Sequence, residues 1–145
     1  MSTFPYIAGF RAVDALRSNP LLLPGFSPKY IPVVILTGQQ ILPGTVVGKA
    51  NSGANAGKVV VSVKTATDGS QIPYGITVDM IDTTAAGPAG AAGDINCDVL
   101  VAGIVNASAI VVDTTWGLTP DTVWAALEPY LRTIGLFGRF PGYSG

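Results

Sequence analysis

The feature that most constrains the fold is an Asp-Gly pair, Asp68-Gly69, that stands between two runs rich in β-branched residues. Asp hydrogen-bonds its own backbone and Gly accepts a positive φ at no steric cost, so the pair predicts a tight turn. Residues 58–65 before it are rich in valine and partly alternate apolar with polar residues, which favours a strand. Residues 74–78 predict a second short strand. Together they predict a β-excursion with a tight polar tip.

Two residues of the second run set its local geometry. Pro73 lacks an amide hydrogen and therefore suits a strand entry or a bulge better than a strand centre. Gly75 stands inside the strand, where glycine usually marks a bulge or the close approach of another backbone. We therefore expect Asp68, Gly69 and Gly75 to have structural roles, because none of them is nucleophilic.

Other apolar runs bounded by turn residues predict further strands. These runs are residues 33–37, 45–49, 95–105, 109–112 and 136–137. Because glycine and proline are numerous and the strands are short, the sequence predicts a mixed α/β fold. It consists mainly of short β-strands in a small sheet or barrel-like core, with one C-terminal helix.

That helix has clear start and stop signals. Thr119 is a good N-cap, and Pro120 suits the first helical position. Gly135 favours termination in the left-handed conformation. Pro129 is expected to kink or shorten the helix. Trp124 lies on the apolar face and is expected to anchor the helix to the sheet.

Residues 1–32 differ from the rest of the chain, because they are apolar and rich in proline. Pro20, Pro24, Pro28 and Pro32 recur every four residues and favour extended conformations. A solvated linker would be more polar. We interpret residues 1–32 as an extended arm that lies against another surface. The alternative is an N-terminal segment packed on its own domain. The body then spans residues 33–138, and residues 139–145 form a tail.

The scarcity of charge constrains the partners. Charged residues make up 12% of the chain, compared with about 25% in an average soluble domain. An apolar, sparsely charged surface favours association with copies of itself or with a larger assembly. A net charge of −1 without a basic cluster argues against nucleic-acid binding. No apolar run reaches the roughly 18 residues of a membrane helix, so no membrane partner is expected.

The residues that usually perform catalysis are scarce. The chain has no histidine, which is the commonest general base. Its single cysteine, Cys97, is flanked by acidic residues, which would raise the pKa of its thiol. Asp82 and Asp113 each begin an Asp-Thr-Thr sequence similar to the aspartic-protease signature, but Thr replaces its Gly. Asp followed by Thr is also an ordinary turn pair. Other aspartates do not follow a calcium-loop pattern. We expect no enzyme, no cofactor and no metal site.

Several short motifs occur in a fixed order along the chain. They are Thr37-Gly38-Gln39, Gly44-Thr45-Val46-Val47-Gly48-Lys49, Asp68-Gly69-Ser70-Gln71, Gly75-Ile76-Thr77-Val78, Asp82, and the run from Val99 to Asn106. This arrangement, spanning roughly residues 33–137, resembles the lambda-type head decoration (capsid cement) proteins of tailed bacteriophages.

The resemblance implies a non-catalytic virion protein. It implies a homotrimer at the three-fold and quasi-three-fold positions of the expanded head, where it binds the major capsid protein lattice and stabilises the shell. The protein would lie on the outer surface of the capsid head, and the particle would be assembled in the host cytoplasm. It also implies an N-terminal arm that becomes ordered on the capsid. Phe4, Tyr6, Ile7 and Phe10 are the candidate capsid-binding residues of that arm here.

A second interpretation keeps the fold and changes the partner. The chain would be a small β-rich surface module of a virion or cell that binds carbohydrate or peptide. Trp116 and Tyr74, placed on loops, would be its stacking residues.

Overall fold

The computed structural model describes residues 21–25, 27–85, 87 and 92–139, which form short strands, a 3₁₀ turn and one α-helix. The strands are β1 (Leu22–Leu23), β2 (Lys29–Ile35), β3 (Gln40–Ile41), β4 (Val46–Lys49), β5 (Val59–Val61), β6 (Pro73–Thr77), β7 (Ile81–Asp82), β8 (Ile95–Asn106) and β9 (Leu136–Arg139). The 3₁₀ turn is Thr114–Trp116, and helix α1 is Pro120–Ile134.

Five strands close into a small barrel-like sheet. Around the ring, β8 pairs with β2, β2 with β5, β5 with β4, β4 with β6, and β6 returns to β8. The β2–β5 contact is parallel, and the other four are antiparallel. Strands β3 and β7 form a separate antiparallel ribbon. The predicted fold class, short strands in a barrel-like core with one C-terminal helix, is confirmed.

The long strand β8 extends beyond the ring. Its first half pairs with β2 and β6 inside the barrel-like sheet. Its second half pairs with β1 in the antiparallel sense on one side and with β9 in the parallel sense on the other. A parallel neighbour requires a crossover connection, and α1 lies in the segment that supplies it. Both outer strands therefore depend on β8 for their hydrogen bonds.

Gly75 allows β6 to reach β8. A Cβ atom on Gly75 would lie 2.9 Å from the Leu100 carbonyl oxygen and 3.0 Å from Val99 Cγ2. On the other side, Val47 is opposite Gly75 and Gly48 is opposite Pro73, so Tyr74 is the extra residue of a β-bulge. Both expectations for Gly75, a nearby bulge and a close backbone approach, are confirmed.

Two apolar clusters occupy opposite faces of the strands, because consecutive residues point to opposite sides. Val46 and Leu100 face α1, whereas Val47 and Val99 face the interior of the ring. Helix α1 covers the first face and packs against β6 and β9. Val123, Trp124, Leu127 and Leu131 are its buried side chains, so the predicted core role of Trp124 is confirmed.

The ends of α1 follow the sequence signals. The Thr119 side chain accepts a hydrogen bond from the Thr122 amide, Pro120 is the first helical residue, and Gly135 ends the helix with a φ of 111°. Pro129 does not shorten the helix, which continues to Ile134. Pro129 and Ala125 are both exposed. A proline here removes a hydrogen bond on the solvent side, where water replaces it.

Three predicted strands differ from the observed ones. The strand expected at residues 33–37 begins at Lys29, so residues 29–32 of the predicted arm lie in the sheet. The run 58–65 forms a strand only at Val59–Val61, because residues 62–72 leave the sheet and cross the outer face of β4. The segment 109–112 makes a single bridge, between Val111 and Thr45, and is not a strand.

The predicted β-excursion is also wrong in its pairing. Strands β5 and β6 do not pair with each other, because β4 lies between them and pairs with both. The Asp68-Gly69 turn is therefore part of a connection that passes over β4. A strand in the central position forms backbone hydrogen bonds with both of its neighbours. In an isolated pair of strands, each strand has one edge whose hydrogen-bonding groups are unpaired.

We predict that Leu127→Ala lowers the free energy of unfolding by about 2–5 kcal/mol, because Leu127 is fully buried between α1 and the sheet and its loss leaves a cavity. Urea unfolding measures the change. Leu42→Ala is the matched control: Leu42 is 53% exposed, and its replacement should change stability by no more than about 0.5 kcal/mol. Equal effects of the two substitutions would contradict the assigned core.

Candidate functional site

The four candidate arm residues, Phe4, Tyr6, Ile7 and Phe10, lie outside the described residues. What the structure gives is the point where the N-terminal segment joins the body. There the Asn106 amide donates to the Leu21 carbonyl oxygen at 2.8 Å, and Leu22–Leu23 pairs with residues 104–105 of β8. The N-terminal segment therefore joins the body at the C-terminal end of β8.

The other end of the body reaches the same place. The amide of Ala107, the residue after Asn106, donates to the Arg139 carbonyl oxygen at 2.8 Å. Strands β1 and β9 lie on opposite sides of β8, so Leu21 and Arg139 are about two strand spacings apart, or roughly 10 Å. Residues 1–20 and 140–145 thus join the body at one end of the sheet.

The Asp68-Gly69 turn is built as the sequence predicts. Gly69 has a φ of 101°, in the region that favours glycine. An Asp68 carboxylate oxygen accepts hydrogen bonds from the Ser70 hydroxyl at 2.6 Å and the Ser70 amide at 3.0 Å. These bonds, the hydroxyl bond above all, hold the pKa of Asp68 below its ordinary value. The Asp68 carboxylate therefore acts as a hydrogen-bond acceptor within its own turn.

The turn is anchored by a buried serine that the sequence analysis did not identify. The Ser62 hydroxyl donates to the Ser70 carbonyl oxygen at 2.8 Å, and the Ser62 carbonyl accepts from Trp116 Nε1 at 3.0 Å. Ser62 is fully buried. No local pattern distinguishes it, because its partners lie 8 and 54 residues away in the sequence.

Gly48 is a second residue without a distinct signal in the sequence analysis. A Cβ atom at this position in β4 would overlap the Ser70 carbonyl oxygen. The absence of a side chain thus lets residues 68–72 pass directly over β4. Without that space the Ser62–Ser70 hydrogen bond would not form.

The two stacking residues of the alternative binding module are not where that interpretation requires them. Trp116 is 3% exposed, and its indole nitrogen is bonded to Ser62. Tyr74 lies in strand β6 and not on a loop, and Lys49 Nζ lies 5.2 Å from the centre of its ring. A buried indole cannot stack on a sugar, so this prediction is wrong for Trp116.

The two Asp-Thr-Thr sequences form turns. A carboxylate oxygen of Asp82 accepts from the Thr84 amide at 2.9 Å, and one of Asp113 accepts from the Thr115 amide at 3.0 Å. Hydrogen bonds from the Thr84 and Thr115 hydroxyls are the largest cause of the lowered pKa of each aspartate. An aspartic-protease dyad requires one carboxyl with a raised pKa, which neither residue has.

Cys97 and the acidic residues are the remaining candidates for catalysis or metal binding. Cys97 is half-buried in β8, and burial, with smaller contributions from Asp98 and Asp79, raises its thiol pKa. Within the described residues, no three Asp, Glu, Cys or His side chains are placed to hold a metal ion. Across the same residues, no helix is long and apolar enough to cross a membrane.

Several large apolar side chains face solvent. Leu42 and Met80 are 53% and 68% exposed, and each is adjacent in sequence to a member of the Ile41–Ile81 pair of the β3–β7 ribbon. Leu118, just before α1, is 83% exposed. These residues contribute apolar surface of the kind that binds other proteins.

The comparison with known families identifies the chain. Residues 29–119, more than half of the sequence, match the family described as "Bacteriophage lambda head decoration protein D". The chain belongs to the bacteriophage lambda head decoration protein family. Comparison with curated proteins gives no match. The match begins at the first residue of β2 and ends at the N-cap of α1, so it contains the complete ring of five strands.

Membership of the head decoration family makes the protein a phage head decoration protein, a structural component of the capsid. The head decoration family is structural and not catalytic. The residues that the structure brings together around the Asp68-Gly69 turn, Ser62, Ser70 and Asp68, support the fold.

We predict that Gly48→Ala lowers the free energy of unfolding by at least about 1–3 kcal/mol, since the new methyl group would overlap the Ser70 carbonyl and displace residues 68–72. Gly93→Ala is the control, because a Cβ there meets nothing within 4 Å. Thermal and urea unfolding of both variants measure the difference. If Gly48→Ala is as stable as Gly93→Ala, the close crossing over β4 is incorrect.

Proposed function

We propose that this head decoration protein binds the expanded phage head as a homotrimer at three-fold and quasi-three-fold positions and stabilises the shell from outside. Its partners are the major capsid protein lattice and two further copies of itself. It assembles in the host cytoplasm and remains on the outer surface of the virion. The family match over residues 29–119 is the observation that carries the proposal.

The surface of the body supports a role in assembly. Only 12% of the residues are charged, and Leu42, Met80 and Leu118 are large apolar side chains that face solvent. Burying such side chains against a neighbouring protein contributes about 25 cal/mol per Å² of apolar surface. Contacts of this kind suit both self-association and attachment to a shell.

Stabilisation follows from mass action. A protein that binds the expanded lattice and not its disassembled subunits shifts the equilibrium towards the lattice, and the shift grows with its free concentration. In a trimer, each contact that forms raises the effective concentration of the other two. Weak individual contacts thereby produce tight attachment, and no bond is made or broken.

We propose that the N-terminal segment provides the main contact with the shell. It joins the body at β1 beside the end of β8, and it contains Phe4, Tyr6, Ile7 and Phe10. An extended segment can add a strand to an exposed sheet edge through backbone hydrogen bonds, while its aromatic side chains fill pockets. We take residues 1–20 as the arm, since Leu22–Leu23 and Lys29–Ile35 are strands of the body.

We predict that deleting residues 1–20 leaves a folded protein of unchanged oligomeric mass that no longer binds expanded capsids. Deletion of residues 1–32 is the comparison: it also removes β1 and the first four residues of β2, and should lower stability markedly. Urea unfolding and co-sedimentation with expanded empty capsids separate the two effects. Full decoration by the shorter deletion would exclude the arm, and its failure to fold would assign the arm to the core.

The oligomeric state is tested independently of the arm. We expect the purified protein, alone or bound to capsids, to have a mass of about three times the 14.8 kDa of one chain. Light scattering gives the mass in solution, and mass analysis of decorated particles gives the number of copies. Decoration by single chains in numbers unrelated to three-fold positions would contradict the trimer. Equal binding to unexpanded heads would contradict selectivity for the expanded lattice.

A further inference from the structure

The Asp68-Gly69 turn has a chemically labile sequence. In an Asp-Gly pair the glycine nitrogen can attack the aspartate Cγ, because no Cβ atom hinders its approach. A C–N bond forms, and the hydrogen of the nitrogen leaves with the carboxyl hydroxyl as water, which gives a succinimide ring. Water then opens either carbonyl of the ring, and the product is aspartate or isoaspartate. Asp68-Gly69 is the only Asp-Gly or Asn-Gly pair in the chain.

The fold needs this pair and is damaged by its reaction product. Gly69 has a φ of 101°, and a Cβ atom there would overlap the Asn51 side chain, so another residue would be strained. Isoaspartate carries the main chain through Cβ and Cγ and lengthens it by one atom. The longer segment would no longer match its close crossing at Gly48 or present the Ser70 carbonyl to Ser62.

The attacking nitrogen is held at both ends of its peptide group. The Gly69 amide donates to Oε1 of Gln71 at 2.8 Å, and the Asp68 carbonyl accepts from the Asn51 amide at 2.7 Å. The peptide group is planar, so its N–H and C=O turn together. A rotation that brings the nitrogen towards Cγ breaks both bonds, and loss of the nitrogen's hydrogen removes the bond to Gln71.

The carboxyl group is held in its unreactive form. Attack at Cγ requires the uncharged carboxyl, since an ionised carboxylate is a poor electrophile and has no hydroxyl to release. One Asp68 carboxylate oxygen accepts from the Ser70 hydroxyl at 2.6 Å and from the Ser70 amide at 3.0 Å. These bonds favour the ionised form and hold the pKa of Asp68 below its ordinary value.

We propose that Gln71 and Ser70 protect the Asp68-Gly69 bond from isoaspartate formation. Gln71 holds the hydrogen that the nitrogen must lose, and Ser70 holds the carboxyl as an anion. Capsid proteins are not replaced in a released particle, so a slow backbone reaction in a capsid component accumulates with time. The inference rests on the turn alone and does not depend on the proposed trimer or arm.

The reaction is followed in the full-length protein at neutral pH by peptide mapping, with chromatography to separate isoaspartate from aspartate, which have the same mass. We expect residue 68 to react more slowly in the folded protein than in a synthetic peptide of residues 64–73. Gln71→Met keeps the side-chain length and removes the acceptor. It should react about two- to tenfold faster than the wild type, the factor that corresponds to one net hydrogen bond. Ser70→Ala should act in the same direction.

Two controls separate local protection from general stability, and urea unfolding verifies that each variant is folded. Gln40→Met makes the same exchange at a glutamine that bonds to Asp82, and it should react at the wild-type rate. Leu127→Ala lowers the stability of the fold and leaves the turn intact. A wild-type rate in Gln71→Met would overturn the proposal. Equal acceleration by Leu127→Ala would also overturn it, because overall folding would then provide the protection.

If Gln71→Met does not fold, two other comparisons decide. Ser70→Ala at the wild-type rate would overturn the proposal, and so would a wild-type protein that reacts as fast as the peptide. Faster reaction in Ser70→Ala, together with a slow wild type, would support it.

Discussion

The structure depends on the close contact between β6 and β8. Where Gly75 meets the Leu100 carbonyl there is no room for a Cβ atom, and this contact completes the ring of five strands. If it opened, Ile76 and Leu100 would separate, and both are fully buried beneath α1. Val99, on the other face of the same strand, would lose its place inside the ring. One short interstrand distance therefore supports the interior of the ring and the packing of the helix.

Two buried threonine hydroxyls each bond two backbone groups of the loops around this ring. The Thr83 hydroxyl donates to the Leu36 carbonyl and accepts from the Gln39 amide, and Thr77 similarly connects Leu42 with Thr45. Both threonines are buried, and their hydroxyls satisfy backbone groups that turns leave unpaired. A chain with few charges gains little from ion pairs. Its loops are ordered by hydrogen bonds to buried threonine hydroxyls and to aspartate carboxylates within turns. Much of the outer surface is therefore free to be apolar, as suits a capsid component.

Local sequence signals predicted most secondary-structure elements, but they did not predict how the strands pair. The caps of α1, the turn at Asp68-Gly69 and the close approach at Gly75 each depend on residues a few positions apart, and all three were predicted correctly. The insertion of β4 between β5 and β6, the burial of Trp116 and the roles of Ser62 and Gly48 depend on contacts between distant segments. The order of the motifs predicted the family through its resemblance. Residues 29–32 were assigned to the arm and lie in β2, because a proline-containing strand and an extended arm have similar sequence patterns.

The position of the two ends of the body beside β8 has a consequence for the connectivity of the fold. Leu21 and Arg139 are bonded to consecutive amides and are separated by roughly 10 Å, a distance that a linker of a few glycines and serines spans. A circularly permuted chain is therefore geometrically feasible, with Arg139 joined to Leu21 and new termini in the exposed loop 51–57. Such a chain would keep every strand pair of the ring while moving its free ends to another part of the surface.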